Sequence, residues 1–215
     1  MGKCYQIAEG HHLYEEMLSV LTVFSAVYTA AQVHGLGNFS SSPSDGVVIE
    51  CRHLKRCVVL PLHGFIELAL NDKRPPGIGI GLLTDQLPRR HFQVQTNGFD
   101  SLFARVIHPY VVNLFERRRS VIEARFSKTR VKWTDAWQMG WLVRNALSHN
   151  GRVQFNLERQ PEPKPVSWHG LSFDKNDQGK PLLGSLINAG DLIVLSLEMT
   201  EDLDGPLPYV DFVQG

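Results

Sequence analysis

The run Trp141-Leu-Val-Arg144-Asn145-Ala-Leu-Ser148-His149-Asn150-Gly151 places an arginine, an asparagine and a histidine close together near the expected end of a helix. An imidazole titrates near neutral pH and can both accept and return a proton, while a guanidinium stays cationic and pairs with carboxylate or phosphate oxygens. Asn145 and His149 are one helical turn apart and can touch directly. Arg144 and His149 would point about 140° apart on an unbroken helix. They converge only if the helix loosens, and Asn150-Gly151 supplies a terminator at that place.

Other chemical templates are missing. There is no Gly-x-Gly-x-x-Gly after a strand, no phosphate loop ending in Lys-Ser/Thr, no His-Glu-x-x-His and no Gly-x-Ser-x-Gly elbow. Gly77-Ile-Gly-Ile-Gly81 is followed by no helix start and reads as a turn or bend. Cys51, His53, Cys57 and His63 match no common zinc spacing and read as buried thiols and surface imidazoles. No metal and no cofactor is expected. Trp133, Trp137 and Trp141 recur at helical spacing and read as core rather than as a base-stacking platform.

The elements that must position these residues are mostly helical. Leu13, Met17, Val20/Leu21, Phe24, Val27/Tyr28 and Ala31 predict a long first helix stopped by Gly35 and Gly37. Val47 to Cys51 is either a short strand or an extended lead-in, and Pro61 opens a second helix through Leu70. A third helix carries the stripe from Leu102/Phe103 to Phe126 with Pro109 inside it. Thr134 caps a fourth helix that runs to about His149. Val153/Phe155/Leu157 and Val166/Trp168, separated by Gln160 to Pro165, suggest a small hairpin within residues 152–185, and Asp191 caps a last helix, Leu192 to Leu203. The expected architecture is a single mainly α domain over residues 1–215, an up-and-down helical bundle with a β appendage before the C-terminal helix.

The Trp141–Gly151 run resembles the Arg-x4-6-His motif of the HEPN superfamily, which includes metal-independent RNA endonucleases; Arg144, Asn145 and His149 match residue by residue. Leu60 to Lys73 is similar to an earlier core helix of that superfamily. Two Arg-x4-6-His matches occur, Arg144/His149 and Arg56/His63, and chance alone predicts about two. Context separates them: the first has Asn145 after the arginine and a helix stop behind it, whereas Pro61 interrupts the second. The resemblance implies His149 as general acid or base around a ribose 2′-OH, Arg144 stabilising the phosphorane, Asn145 orienting the imidazole or a phosphate oxygen, and a 2′,3′-cyclic phosphate product. It also implies a homodimer, a toxin or defence role, and a neutralising antitoxin partner. Two other readings stand beside it. One is a non-catalytic nucleotide-binding or interaction module of the same type. In the other, Arg144 pairs with a carboxylate, Asn145 and Ser148 bond local backbone, and His149 simply ends a helix.

The 215 residues carry 22 Lys plus Arg against 22 Asp plus Glu, with 43% hydrophobic residues, which excludes a disordered or fibrous chain. The zero net charge hides an asymmetry. From Arg89 to Lys132 there are ten basic and three acidic residues, and from Val153 onward four basic and ten acidic. Arg117, Arg118 and Arg119, with Ser148, are the candidate RNA-binding residues of the basic part. Three cysteines without disulfide spacing suggest a reducing, cytoplasmic compartment. The polar residues within Met17 to Gly37 favour a buried helix over a membrane span, and Gln6 stands where a myristoylation signal needs Ser or Thr.

Overall fold

A computed structural model of the chain describes residues 2–33, 46–61, 74–83, 97–158 and 163–212. It divides into two compact units, one comprising residues 1–51, 55–110 and 207–215, the other residues 52–54 and 111–206.

The first unit corrects the expectation of a mainly helical bundle. It contains a five-stranded antiparallel sheet of strands β1 (Gly2–Ala8), β2 (Gly46–Glu50), β3 (Cys57–Pro61), β4 (Gly77–Leu83) and β7 (Tyr209–Phe212), in the order β2-β3-β4-β1-β7. The glycine-rich run read as a bend is strand β4, in register with β1 from Gly2↔Leu83 to Ala8↔Gly77. Its isoleucines Ile78 and Ile80 are buried. Its glycines lie where strands crowd: a Cβ on Gly81 would stand 3.1 Å from Val59 Cβ, and one on Gly79 3.2 Å from Cys4 Sγ. Small residues here serve close cross-strand packing rather than a turn.

Pro61 closes β3 opposite Gly46 instead of opening a helix. The remainder of that expected second helix, including His63, lies outside the described residues. The C-terminal strand β7 pairs with β1 at Lys3↔Asp211 and Cys4↔Val210. Helix α1 (His12–Val33) follows the expected stripe, burying Leu13, Met17, Val20 and Leu21. It is fixed by the Tyr14 hydroxyl, which donates to the Pro75 carbonyl, and by a bidentate Arg74–Glu15 pair at 3.0 and 2.8 Å. No helix among the described residues is long and apolar enough to cross a membrane.

Helix α2 (Asn97–Arg125) passes into the second unit at Val111, where Val111, Leu114, Phe115 and Ile122 are buried. There it is joined by α3 (Asp135–Leu147), α4 (Ala189–Asp204) and a two-stranded hairpin, β5 (Val166–Trp168) and β6 (Leu171–Phe173). Thr134 caps α3 as expected, accepting from the Trp137 amide. The hairpin differs from the expected one. Its strands flank His169-Gly170, a two-residue turn with φ of 46° and 85°, rather than Gln160 to Pro165. Val153 and Phe155 are buried but belong to no strand. Helix α4 begins at Ala189 and is capped by Asn188, not by the expected Asp191, which is the reciprocal partner of the capping box three positions on.

Candidate functional site at the end of helix α3

Ala136, Trp137, Met139, Gly140, Leu142, Val143 and Ala146 form the buried face of α3. That periodicity turns Arg144 and Asn145 to a half-exposed position and leaves Ser148 and His149 exposed. The α-helix ends at Leu147, short of the expected His149. The Ser148 amide then donates to the Asn145 carbonyl at 3.1 Å and the His149 amide to the Ala146 carbonyl at 2.9 Å, a tightening of the last turn. Asn150 and Gly151 adopt φ of 56° and 75°, and the Gly151 amide returns to the Ala146 carbonyl at 2.8 Å. This is the left-handed closure that Asn-Gly predicts. His149 therefore sits on the released turn, not on the helix.

Arg144 Nε donates to Glu116 Oε1 of α2 at 2.7 Å, and Nη1 donates to Asn145 Oδ1 at 3.4 Å. Asn145 Nδ2 in turn donates to the Gln154 carbonyl, also at 3.4 Å. The Ser148 hydroxyl makes a long bond to the Arg144 carbonyl, 3.5 Å, as a helix-end serine commonly does. No hydrogen bond joins the His149 ring to Arg144 or Asn145 among the described residues, and its carbonyl accepts from the Arg152 amide at 3.1 Å. Arg144 and Asn145 are thus brought into contact, with His149 a turn beyond them.

Of the candidate RNA-binding arginines, Arg118 forms an ion pair with Asp204, Arg119 Nε pairs with Glu123 at 2.8 Å, and Arg117 is exposed. Arg125 donates to the Leu203 carbonyl. Part of the basic stretch is therefore engaged with the end of α4, in the acidic C-terminal part of the sequence. Trp133 and Trp137 are core residues, their indole N–H groups donating to the Ser127 and Met199 carbonyls at 2.7 and 2.8 Å. Trp141 is half-buried, and the Arg130 guanidinium lies 4.4 Å over its ring. Glu116 and Arg152 were not singled out by sequence reasoning. The signal for Glu116 was available: it is one of only three carboxylates in the basic stretch.

Of Cys51, His53, Cys57 and His63, the last lies outside the described residues. Cys51 is buried, burial pushes the Cys57 thiol up, and the His53 ring bonds the His169 carbonyl at 2.9 Å.

A concave feature elsewhere on this unit is acidic. A cavity of about 400 Å³ is lined by Thr134, Trp168, His169, Glu198, Glu201 and Asp202 among others. Glu198 accepts from the Trp168 indole at 2.8 Å and meets His169 Nε2 at 2.7 Å. Thr134 donates to Asp202, whose carboxyl is nevertheless pushed up, chiefly by burial and further by Glu198. A carboxyl raised on folding favours the native state at low pH and disfavours it as pH rises through its folded value. Asp202→Asn should therefore melt above wild type at pH 7, with the gap closing as pH falls below the ordinary carboxylate range. A gap that grows toward acid would contradict this.

No protein-family model matches the chain, and neither does any curated protein or solved structure.

Proposed function

We propose that the end of α3 is the active centre of a metal-independent RNA endonuclease. The observation that carries this reading is the released helix end, where an exposed imidazole lies on the turn beyond a guanidinium bonded to Asn145. His149 takes the proton from a ribose 2′-OH. The 2′ oxygen attacks the adjacent phosphorus, and the bond from phosphorus to the 5′ oxygen breaks. The products are a 2′,3′-cyclic phosphate and a 5′-hydroxyl, the latter protonated by the imidazolium or by water. Arg144 supplies the cation that the extra phosphorane charge requires. Because the nucleophile is the 2′-OH, the substrate class is RNA and DNA is inert. A homodimer would set two such helix ends across one groove, and a toxin role with a neutralising protein partner fits an enzyme that cuts cellular RNA in the cytoplasm.

The second reading is a module that binds a nucleotide or a protein without cutting, and it rests on the Glu116 pair on Arg144, which engages the guanidinium in the protein as a structural tie does. The test is incubation of the purified chain in excess EDTA with RNA and with DNA of the same sequence, alongside Arg144→Ala. Cleavage of RNA only, lost in the variant, is the expected result. RNA bound but left intact supports the second reading, and cleavage unchanged in Arg144→Ala removes the site from the reaction.

A further inference from the structure

We infer that Glu116 is a positioning residue for Arg144, setting the guanidinium so that its outer edge meets a phosphate; this rests on the nuclease reading above. A guanidinium presents five N–H donors in a planar fork, and only its rotation about the side-chain axis decides where that fork points. Here two of its three nitrogens are engaged. Nε is bonded to Glu116 Oε1 at 2.7 Å and Nη1 to Asn145 Oδ1 at 3.4 Å. Asn145 is itself oriented, because its Nδ2 donates to the Gln154 carbonyl and its oxygen must then face the arginine. Glu116, Arg144, Asn145 and the Gln154 carbonyl form one chain of bonds from α2 through α3 to the strap that follows it.

Two of the five N–H donors are used by Glu116 and Asn145, which leaves up to three, those of Nη2 and one of Nη1, for the oxygens of a phosphate. Glu116 and Arg144 side chains are each 39% exposed, so an incoming phosphate reaches the pair without unfolding anything. Of the neighbouring arginines, Arg118 goes to Asp204, and Arg119 goes to Glu123 on its own helix. The carboxylate also neutralises Arg144, so the site attracts anions by donor geometry more than by net charge. Binding and chemistry are thereby separated. Loss of the carboxylate frees the guanidinium to rotate, which slows the chemical step, while removal of a negative charge leaves ground-state binding of RNA equal or tighter.

The test is steady-state cleavage of one RNA in EDTA by wild type, Glu116→Ala, Glu116→Asp and Glu116→Gln, with thermal unfolding of each. Gln keeps an acceptor oxygen at the same reach, whereas Asp is one methylene short. The expected result is a kcat lower by about 10- to 100-fold in the Ala and Asp variants, with KM unchanged or lower, and activity within a few-fold of wild type in Gln. A purely structural tie would lower melting temperature and kcat together, with no rescue by Gln. Equal or faster cleavage by Glu116→Ala or by Glu116→Asp would overturn the inference, marking the carboxylate as a competitor of phosphate, as would a Gln variant as slow as Asp. Wild type that leaves RNA intact is a separate outcome, in which the nuclease reading itself falls and takes this inference with it.

Discussion

Replacing His149 with alanine should slow RNA cleavage by about 100-fold or more, the ordinary contribution of a general acid or base, and should leave the melting temperature unchanged. Both halves follow from where the residue sits. His149 is exposed and lies beyond the last α-helical residue, and its backbone, not its ring, makes the bonds that close the turn. Alanine keeps that backbone, so the stability cost is within the range of ordinary surface substitutions. Arg144→Ala is the less clean variant, since it strips Glu116 of its partner on α2. Initial rates of cleavage and a thermal melt of His149→Ala settle the point. A variant that cuts as fast as wild type removes the imidazole from the mechanism, and one that loses both activity and several degrees of stability assigns it a structural role.

The largest effect on stability should come from Asp191, in the first turn of α4. Its carboxylate is fully buried and accepts from the backbone amides of Arg52 at 3.0 Å, His53 at 3.2 Å, Leu54 at 3.1 Å and Asn188 at 3.0 Å. One side chain thus completes the capping box of its helix and holds a separate turn of chain. Asp191→Ala removes the acceptor of the part-buried His53, Leu54 and Asn188 amides and leaves the Arg52 amide only Asn188 Oδ1 at 3.3 Å, and the expected loss is about 3–5 kcal/mol, at the upper end for single substitutions. Asp191→Asn should also destabilise, because one of its two acceptor oxygens becomes a donor facing other donors. Denaturant unfolding measures both. A loss below about 1 kcal/mol for Asp191→Ala would mean that water or a shifted backbone satisfies the amides.

What could be read from the sequence was local, and what could not was paired over distance. The Thr134 cap, the burial of Trp133 and Trp137 and the Asn150-Gly151 closure are each decided by residues within a turn or two of one another, and all three are present, whereas Trp141 is half-buried. The sheet is decided by partners far apart: β1 is completed by β7 from the other end of the chain. Neither strand has a strong period-two pattern, since Lys3, Tyr5 and Gln6 dilute the one and Asp211 the other. In β4 the alternation is present, but glycine occupies the positions where another strand would carry larger residues, which made it resemble a turn. Pro61 misled in the opposite sense, because a proline that opens a helix can equally terminate a strand.

The same division runs through the site. Arg144, Asn145 and His149 were legible as a group because one helix end carries them. Their surroundings were not, since Glu116 reaches Arg144 from another helix and Gln154 reaches Asn145 from beyond the turn. Asp191 illustrates it once more: sequence spacing marked it as the cap, whereas Asn188 is the cap and Asp191 its partner inside the helix, and its grip on residues 52–54 depends on a contact that no local pattern encodes.

The most direct measurement is the chemistry of the new ends when the purified chain cuts a defined RNA in excess EDTA. A 2′,3′-cyclic phosphate on one fragment and a 5′-hydroxyl on the other are predicted. A 3′-hydroxyl with a 5′-phosphate, or RNA left whole, would contradict cleavage by 2′-OH attack at the end of α3.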